Sequence, residues 1–299
     1  MVALIKKQMK WLIVGGDGQL GRSMQSELSM NGIEFISLGR TQLDISREHE
    51  ISRILKELQP TVVINAAAWT DVDQAESAAV KAIIINGYGP GLLAKACAEI
   101  HARFIHISTD YVFSGNSKKP WSETDPLDPV SAYGRSKAEG ERLVQNHHRD
   151  GSYIVRTAWL YSPWGKNFVR TMLRLALQET ETVHVVNDQF GQPTSAADLA
   201  VQIQKMVDRD IPAGIYHGTN SGEATWFEFA QNIFELSGAD PSRVRPVNST
   251  YYPRSAKRPD YSVLGHQGWL DEKMEPMRNW KEALGNVLPA IISAMNLEE

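Results

Sequence analysis

"KWLIVGGDGQLG", residues 10–21, decides how the rest of the chain reads. Four apolar residues run into a pair of glycines, and in the following "GQLGRSMQSELSMNG" the apolar positions switch to helical spacing, with Gly32 as the stop. A buried strand that turns through glycines into a helix is the first half of a βαβ unit. Two registers fit: Gly16, Gly18 and Gly21 match G-x-G-x-x-G, and Gly15, Gly18 and Gly21 match G-x-x-G-x-x-G. In either, glycine permits the tight turn and lets the backbone approach a pyrophosphate. That group then sits at a helix N-terminus, where free N–H groups and the dipole favour negative charge. A glycine-rich turn without ligand is the plainer reading; its place after the first strand of a βαβ series points to a dinucleotide.

The same rhythm repeats downstream. "IEFISL" (33–38) predicts a strand, "SREHEISRILKELQP" (46–60) a helix closed by Pro60, and "TVVINAAA" (61–68) a strand. "SAAVKAIIINGYGPGLLAKACAEI" (77–100) predicts a long helical region and "RFIHIST" (103–109) another strand. Alternation with near-continuous apolar strands is the signature of a parallel sheet covered by helices on both faces. The expected fold is therefore α/β, a Rossmann-like doubly wound parallel sheet. After "GSYIVRTAWLYS" (151–162) the rhythm becomes irregular. "NFVRTMLRLALQ", "SAADLAVQIQKMV" and "TWFEFAQNIFELSG" predict helices among loops and short strands. We expect a dinucleotide-binding domain over 1–160 and a smaller C-terminal substrate lobe over 161–299, with segments that interleave.

Composition narrows the function classes. A chain of 299 residues can bury a sizeable core, and its net charge of −4 argues against a nucleic-acid binder, which needs a basic stripe to track phosphates. The single cysteine, Cys97, excludes an internal disulfide framework and a CxxC metal site, and fits a reducing compartment. "MVALIKKQMK" holds too few apolar residues for a signal peptide, and no apolar run approaches the roughly 20 residues that span a bilayer. The expectation is a cytoplasmic protein with no membrane partner. The eight histidines form no HExxH or spaced ligand set, so no metal is expected.

An NAD-binding turn of this kind usually has an acidic residue at the end of the second strand, to hold the ribose hydroxyls. Here that place reads "SLGRTQLDI", with Gly39 and Arg40 and no carboxylate until Asp44. Arg40 either meets a 2′-phosphate, whose oxygens match a guanidinium in two-pronged geometry, or is simply a solvated arginine in a β-α loop. A modest preference for NADPH, with NADH still accepted, follows.

The strand at 103–109 ends in Ser108 and Thr109, followed by Asp110, at the sheet edge where such folds place ligands. On the next helix Tyr133 stands four residues before Lys137, and of the nine tyrosines it alone has a lysine at that spacing. Residues i and i+4 share a helix face. A glycine-rich first turn, "NAAA" after the third strand, a Ser/Thr ending the fourth and Y-x-x-x-K on the next helix resemble the extended short-chain dehydrogenase/reductase superfamily. Within it, "INAAAWTDVDQAE", "HISTDYVFSG", "YGRSKAEGE", "RTAWLYSPWGKNFVRTML", "VVNDQFGQPT" and "RPDYSVL" resemble the dTDP-4-dehydrorhamnose reductase family, in the same order over nearly the whole chain.

The resemblance implies NAD(P)H-dependent reduction of the 4-keto group of dTDP-4-dehydro-L-rhamnose, with a nucleotide sugar as substrate. It implies Tyr133 as proton donor, Lys137 as its electrostatic partner and a ribose ligand, and Thr109 to orient the carbonyl or tune the phenol. An ammonium about 4 Å from the phenolate, at an effective dielectric near 20, is worth roughly 4 kcal/mol, enough to lower the tyrosine pKa by about three. Ser108 is the competing hydroxyl, but strand alternation points it away from the face of Thr109. Asp110 and Trp159 carry over as substrate contacts. Gly15, Gly18, Gln19, Leu20, Gly21, Asp44, Ile45, Ala68, Trp69 and Thr70 carry over as cofactor contacts. Trp69 and Trp159 read equally well as packing aromatics. "NDQFGQPT" and the basic run Arg254, Lys257 and Arg258 are the expected substrate side of the second lobe, the run as a diphosphate clamp or simply as a solvated face.

Some members of the family are linked as dimers through magnesium at a glutamate after the glycine turn; Arg22 and Ser23 stand here instead, so a homodimer would use other surfaces. Two rivals remain. A dehydratase of the superfamily would carry an Asp-Glu pair after the threonine, where this chain has Asp110 and Tyr111. An epimerase would retain its cofactor through the cycle. From another class, the regulatory subunit of methionine adenosyltransferase resembles the same family, so the fold alone does not guarantee turnover.

Overall fold

The structure, a computed structural model, describes residues 10–178 and 182–296. Strands β1 (Trp11–Val14), β2 (Phe35–Leu38), β3 (Val62–Asn65), β4 (Arg103–Thr109) and β5 (Ser152–Thr157) form a parallel sheet with a sixth strand, Gly214–His217. From one edge to the other the order is Gly214–His217, β5, β4, β3, β1, β2. All four residues of β1 and of β3 are buried, which explains why these strands read as continuous apolar runs. The chain order reverses between β1 and β3, so the crevice beyond their carboxyl ends is where a ligand of this fold binds.

Helices cover both faces. On one lie α1 (Gln19–Met30) and the later helix Ala196–Asp208, whose Leu199, Ile203 and Met206 share a core with Leu20, Met24 and Leu28. On the other lie α2 (Glu48–Leu58) and, after the short helices α3 (Val72–Ser77) and α4 (Ala79–Ile83), the helix α5 (Gly89–Glu99). Ile51, Leu55, Leu93 and Cys97 pack there in one cluster. Gly32 leaves α1 at φ +64°, and Gln59 ends α2 at φ +46° just before Pro60, so both expected stops hold.

The long helical region expected over 77–100 is not one regular helix. Between α4 and α5 the residues Ile84–Tyr88 widen into a π-turn, a feature that recurs at functional sites. It turns Asn86 inward, fully buried.

Helix α6 (Ala132–His148) carries the Tyr-Lys pair and starts at Ser131, whose side chain accepts from Gly134 N–H. Beyond residue 160 the chain builds a second core around Val169, Leu173, Phe229, Phe234, Leu284 and Leu288, yet it also returns to the first lobe. The strand Gly214–His217 completes the sheet, and Trp269, Met274 and Met277 join the core beneath α1. Among the described residues, no helix is long and apolar enough to cross a membrane.

Candidate active site

The glycine turn needs glycine in both registers, since a Cβ on Gly16 would stand 1.9 Å from Ser37 Oγ. Gly15 has φ +83°, and a Cβ on it would stand 2.5 Å from the Ala67 nitrogen; a Cβ on Gly21 would stand 2.3 Å from the Gly15 carbonyl oxygen. Both positions need glycine for backbone packing. Gly18 differs: its only neighbour within reach of a Cβ is the Gly15 oxygen at 3.3 Å, so a side chain there would fill open space. Gly18 is the N-cap of α1 and offers no side-chain cap, leaving the first-turn N–H groups to an anion. These residues fit a dinucleotide. Leu20 buries its side chain in the core, so only its backbone is available to a ligand. Gln19 reaches across the cleft instead: its Oε1 accepts from Ser162 Oγ (3.1 Å) and Asn167 Nδ2 (3.0 Å).

At the end of β2, Arg40 is exposed, and a carboxylate stands nearby after all. A Cβ on Gly39 would lie 2.0 Å from Oδ2 of Asp17, so the glycine turn itself brings an acid to the place left vacant on the strand. The expectation that no carboxylate faces a 2′-phosphate is thereby corrected: pairing of β1 with β2 makes residues 17 and 39 neighbours. Asp44 accepts from the backbone N–H (3.0 Å) and hydroxyl (2.7 Å) of Ser46, contacts that hold its carboxyl below the ordinary range. Ile45 is buried against Gly89.

Three successive residues at the end of β4 meet α6. The carbonyl oxygen of Ile107 accepts from Lys137 Nζ at 2.5 Å. Ser108 Oγ donates to Glu141 Oε1 at 2.5 Å, inside a buried network. Thr109 interacts with the hydroxyl of Tyr133, donates to Asp110 Oδ1 (2.9 Å) and accepts from Tyr111 N–H (3.2 Å). Ser108 therefore turns away from the tyrosine, as strand alternation requires. Thr109, Asp110, Tyr133 and Lys137 are all buried, and Oδ2 of Asp110 finds no hydrogen-bond partner among the described residues.

Burial dominates the electrostatics. It pushes the Tyr133 hydroxyl up to about 12, against a lowering contact with Thr109 and with a further raising effect from Asp110. It lowers Lys137 to about 8, with Glu141 opposing, and raises Asp110 to about 6 against the lowering hydroxyls of Ser262 and Thr109. The depression of Tyr133 by Lys137 expected from their spacing is absent, because the ammonium is turned to the Ile107 carbonyl. Glu141 is held by Arg156 through Nε (3.0 Å) and Nη2 (2.8 Å), both side chains almost fully buried. No local spacing rule could have found this pair, since its partners lie on α6 and β5.

Around this centre, Ala68 and Trp69 are half-buried and Thr70 is exposed. The π-turn holds their loop: Asn86 Oδ1 accepts from Trp69 N–H (2.7 Å), and its Nδ2 donates to the Trp69 carbonyl (2.9 Å) and to Ser136 Oγ (3.0 Å). Trp69 packs in one cluster with Tyr111 and Tyr133. Trp159, at φ +45°, stacks on Trp226 with ring centroids 3.5 Å apart. Trp226, which sequence reasoning passed over, lines a cavity of about 610 Å³ with Phe168, Met172, Gln189, Arg254, Lys257 and Arg258. Of the expected substrate side, Gln189 and the basic run line this cavity, which is of ligand size, whereas Thr109, Asp110, Tyr133 and Trp159 are not among its lining residues.

Over residues 9–292 the chain matches the RmlD substrate binding domain family. A dTDP-4-dehydrorhamnose reductase of Streptomyces griseus is 45% identical over 286 residues, 94% of this chain and 94% of that protein. A dTDP-4-keto-6-deoxy-D-glucose reductase of Streptomyces niveus is 43% identical, covering 94% of this chain and 97% of that one. Among solved structures, a dTDP-4-dehydrorhamnose reductase of Bacillus anthracis in complex with NADP has a TM-score of 0.90 and 36% identity, over 94% of this chain and 99% of that chain. A match over nearly the whole length, together with these identities, makes the chain a member of the RmlD substrate binding domain family, that of the dTDP-4-dehydrorhamnose reductases.

Proposed function

We propose that the protein reduces the 4-keto group of dTDP-4-dehydro-L-rhamnose with NADPH, giving dTDP-L-rhamnose. The observation that carries this reading is the meeting of Thr109, Asp110, Tyr133 and Lys137, all buried, at the carboxyl edge of β4. When bound, the nicotinamide cofactor supplies the hydride. The N-terminus of α1, with Gly15, Gly18 and Gly21, takes its pyrophosphate, and Lys137 takes its ribose. The chain must then protonate an alkoxide. An ordinary phenol is already protonated at neutral pH and burial raises Tyr133 further, so its hydroxyl carries the proton it gives. Thr109 orients that hydroxyl and the ketone. The unpartnered Oδ2 of Asp110 accepts from a sugar hydroxyl, since a buried acceptor left unsatisfied is costly. Trp226, backed by the stacked ring of Trp159, walls the sugar and base, and Arg254 and Lys257 face the diphosphate.

Cytoplasmic residence and a homodimer complete the reading. The test is product analysis after incubation with NADPH and a panel of 4-keto sugar nucleotides, including the dTDP-4-keto-6-deoxy-D-glucose named for one relative. Oxidation of NADPH with formation of dTDP-L-rhamnose is expected. No oxidation with any member of the panel would favour a non-catalytic binding subunit, and an epimer or an elimination product would favour the rival enzymes.

A further inference from the structure

The basic wall of the large cavity is gripped by one carboxylate of the cofactor-side lobe. The segment 253–260 lines the cavity with Arg254, Lys257 and Arg258, whereas Asp73, in the first turn of α3, lies outside that lining. Asp73 Oδ1 accepts from Ala256 N–H (3.1 Å) and Arg258 Nη1 (3.1 Å), and its Oδ2 accepts from Arg258 Nη2 (2.7 Å). Arg254 Nη1 stands 3.7 Å from the same oxygen. Arg258 Nη1 also donates to the Ala256 carbonyl at 2.9 Å, so the guanidinium closes a loop on its own segment while it is forked onto Asp73. A guanidinium used in this way is largely consumed by folding the strap. Asp73 is correspondingly held down to about 2, chiefly by its bond to Arg258.

The contact joins segments 185 residues apart, and both of its ends bear on the site. Asp73 follows the Ala68–Thr70 loop, and Arg258 acts electrostatically on Tyr111, whose ring meets that of Tyr133 edge-on with centroids 5.6 Å apart. We propose that Asp73 is a positioning residue for the nucleotide sugar: it folds the strap 253–260 so that Arg254 and Lys257 are presented to the substrate diphosphate, while Arg258 serves as the lock. The inference rests on the substrate reading given above. It corrects the simplest view of the basic run, in which all three cations clamp the anion alike.

The experiment measures binding of dTDP and, separately, of NADP⁺ to the full chain by calorimetry, together with steady-state turnover. Asp73→Asn should weaken dTDP binding and raise the KM for the sugar nucleotide roughly 10-fold, the low end expected for a charge-assisted bond. It should leave NADP⁺ affinity and kcat within about 2-fold, and Asp73→Glu should recover part of the loss. If Asp73 acts through Arg258, Arg258→Gln should lose a similar amount, and the double variant should be no worse than the weaker single one. Unchanged or tighter dTDP binding in Asp73→Asn would overturn the proposal, the latter by showing that the carboxylate competes with the diphosphate. An equal loss of NADP⁺ affinity would also overturn it, by showing a general structural fault. A parent protein that binds NADP⁺ but not dTDP would instead remove the substrate reading on which the proposal stands.

Discussion

The ammonium of Lys137 donates to the carbonyl oxygen of Ile107 at 2.5 Å, fastening α6 to the strand that ends in Thr109. The lysine reaches this carbonyl from a site where only 2% of its surface is exposed, and burial lowers it to about 8. Below that pH the ammonium is present; above it the charge is lost. We expect kcat/KM to fall with a one-proton slope above about pH 8. Lys137→Met should lose most activity and abolish that limb. A limb retained in the methionine variant would assign it to another group.

Tyr133→Phe keeps the ring that packs edge-on against Tyr111 and removes only the proton. Turnover should fall roughly 10²- to 10⁴-fold while NADPH still binds. Near-normal turnover in single-turnover assays would take Tyr133 out of the proton-donating role.

Asp110 places a carboxylate in a site where burial raises it from 3.8 to about 6. Above pH 6 its buried charge opposes folding in full; the cost shrinks as pH falls and is gone below 3.8, where folded and unfolded forms are both protonated. The shift corresponds to about 2–3 kcal/mol. Asp110→Asn should therefore raise Tm by a few degrees at pH 7.5 and by much less at pH 4.5, while weakening substrate turnover. Equal changes in Tm at the two pH values would argue against a buried charge.

Asp17 and Arg40 are expected to act on the cofactor in opposite senses. The carboxylate against Gly39 would repel a 2′-phosphate, and the exposed guanidinium would attract it. Each effect, at an exposed rim, is worth about 1 kcal/mol, or roughly 5-fold. The ratio of kcat/KM for NADPH over NADH should rise by that factor in Asp17→Asn and fall by it in Arg40→Ala. A ratio that moves in neither variant would place the discrimination elsewhere.

The β-α order and the trio Thr109, Tyr133 and Lys137 were legible because they rest on local signals. Burial of a four-residue strand shows in its composition, and a helix fixes where residue i+4 lies. Asp17 beside Gly39, Glu141 against Arg156 and Asp73 locked to Arg258 were not legible, since periodicity reports which face is buried and not which strand or loop becomes its neighbour. The sign of one local effect was also hidden. The spacing of Tyr133 and Lys137 suggested a lowered phenol, whereas enclosure of both side chains raises it. Asn86 escaped notice because a π-turn interrupts the helical phase that would have placed it.

The sixth strand, Gly214–His217, lies beside β5 although more than fifty residues separate them in the chain. A fragment ending at residue 160 would leave β5 as a bare edge, open to pairing with another molecule. It would also strip α1 of Leu199, Ile203 and Met206. We expect such a fragment to be recovered as aggregate, with refolding yields far below those of the whole chain. On the ribosome, the same topology delays completion of the six-stranded sheet until much of the later chain has been made, so the two cores mature together.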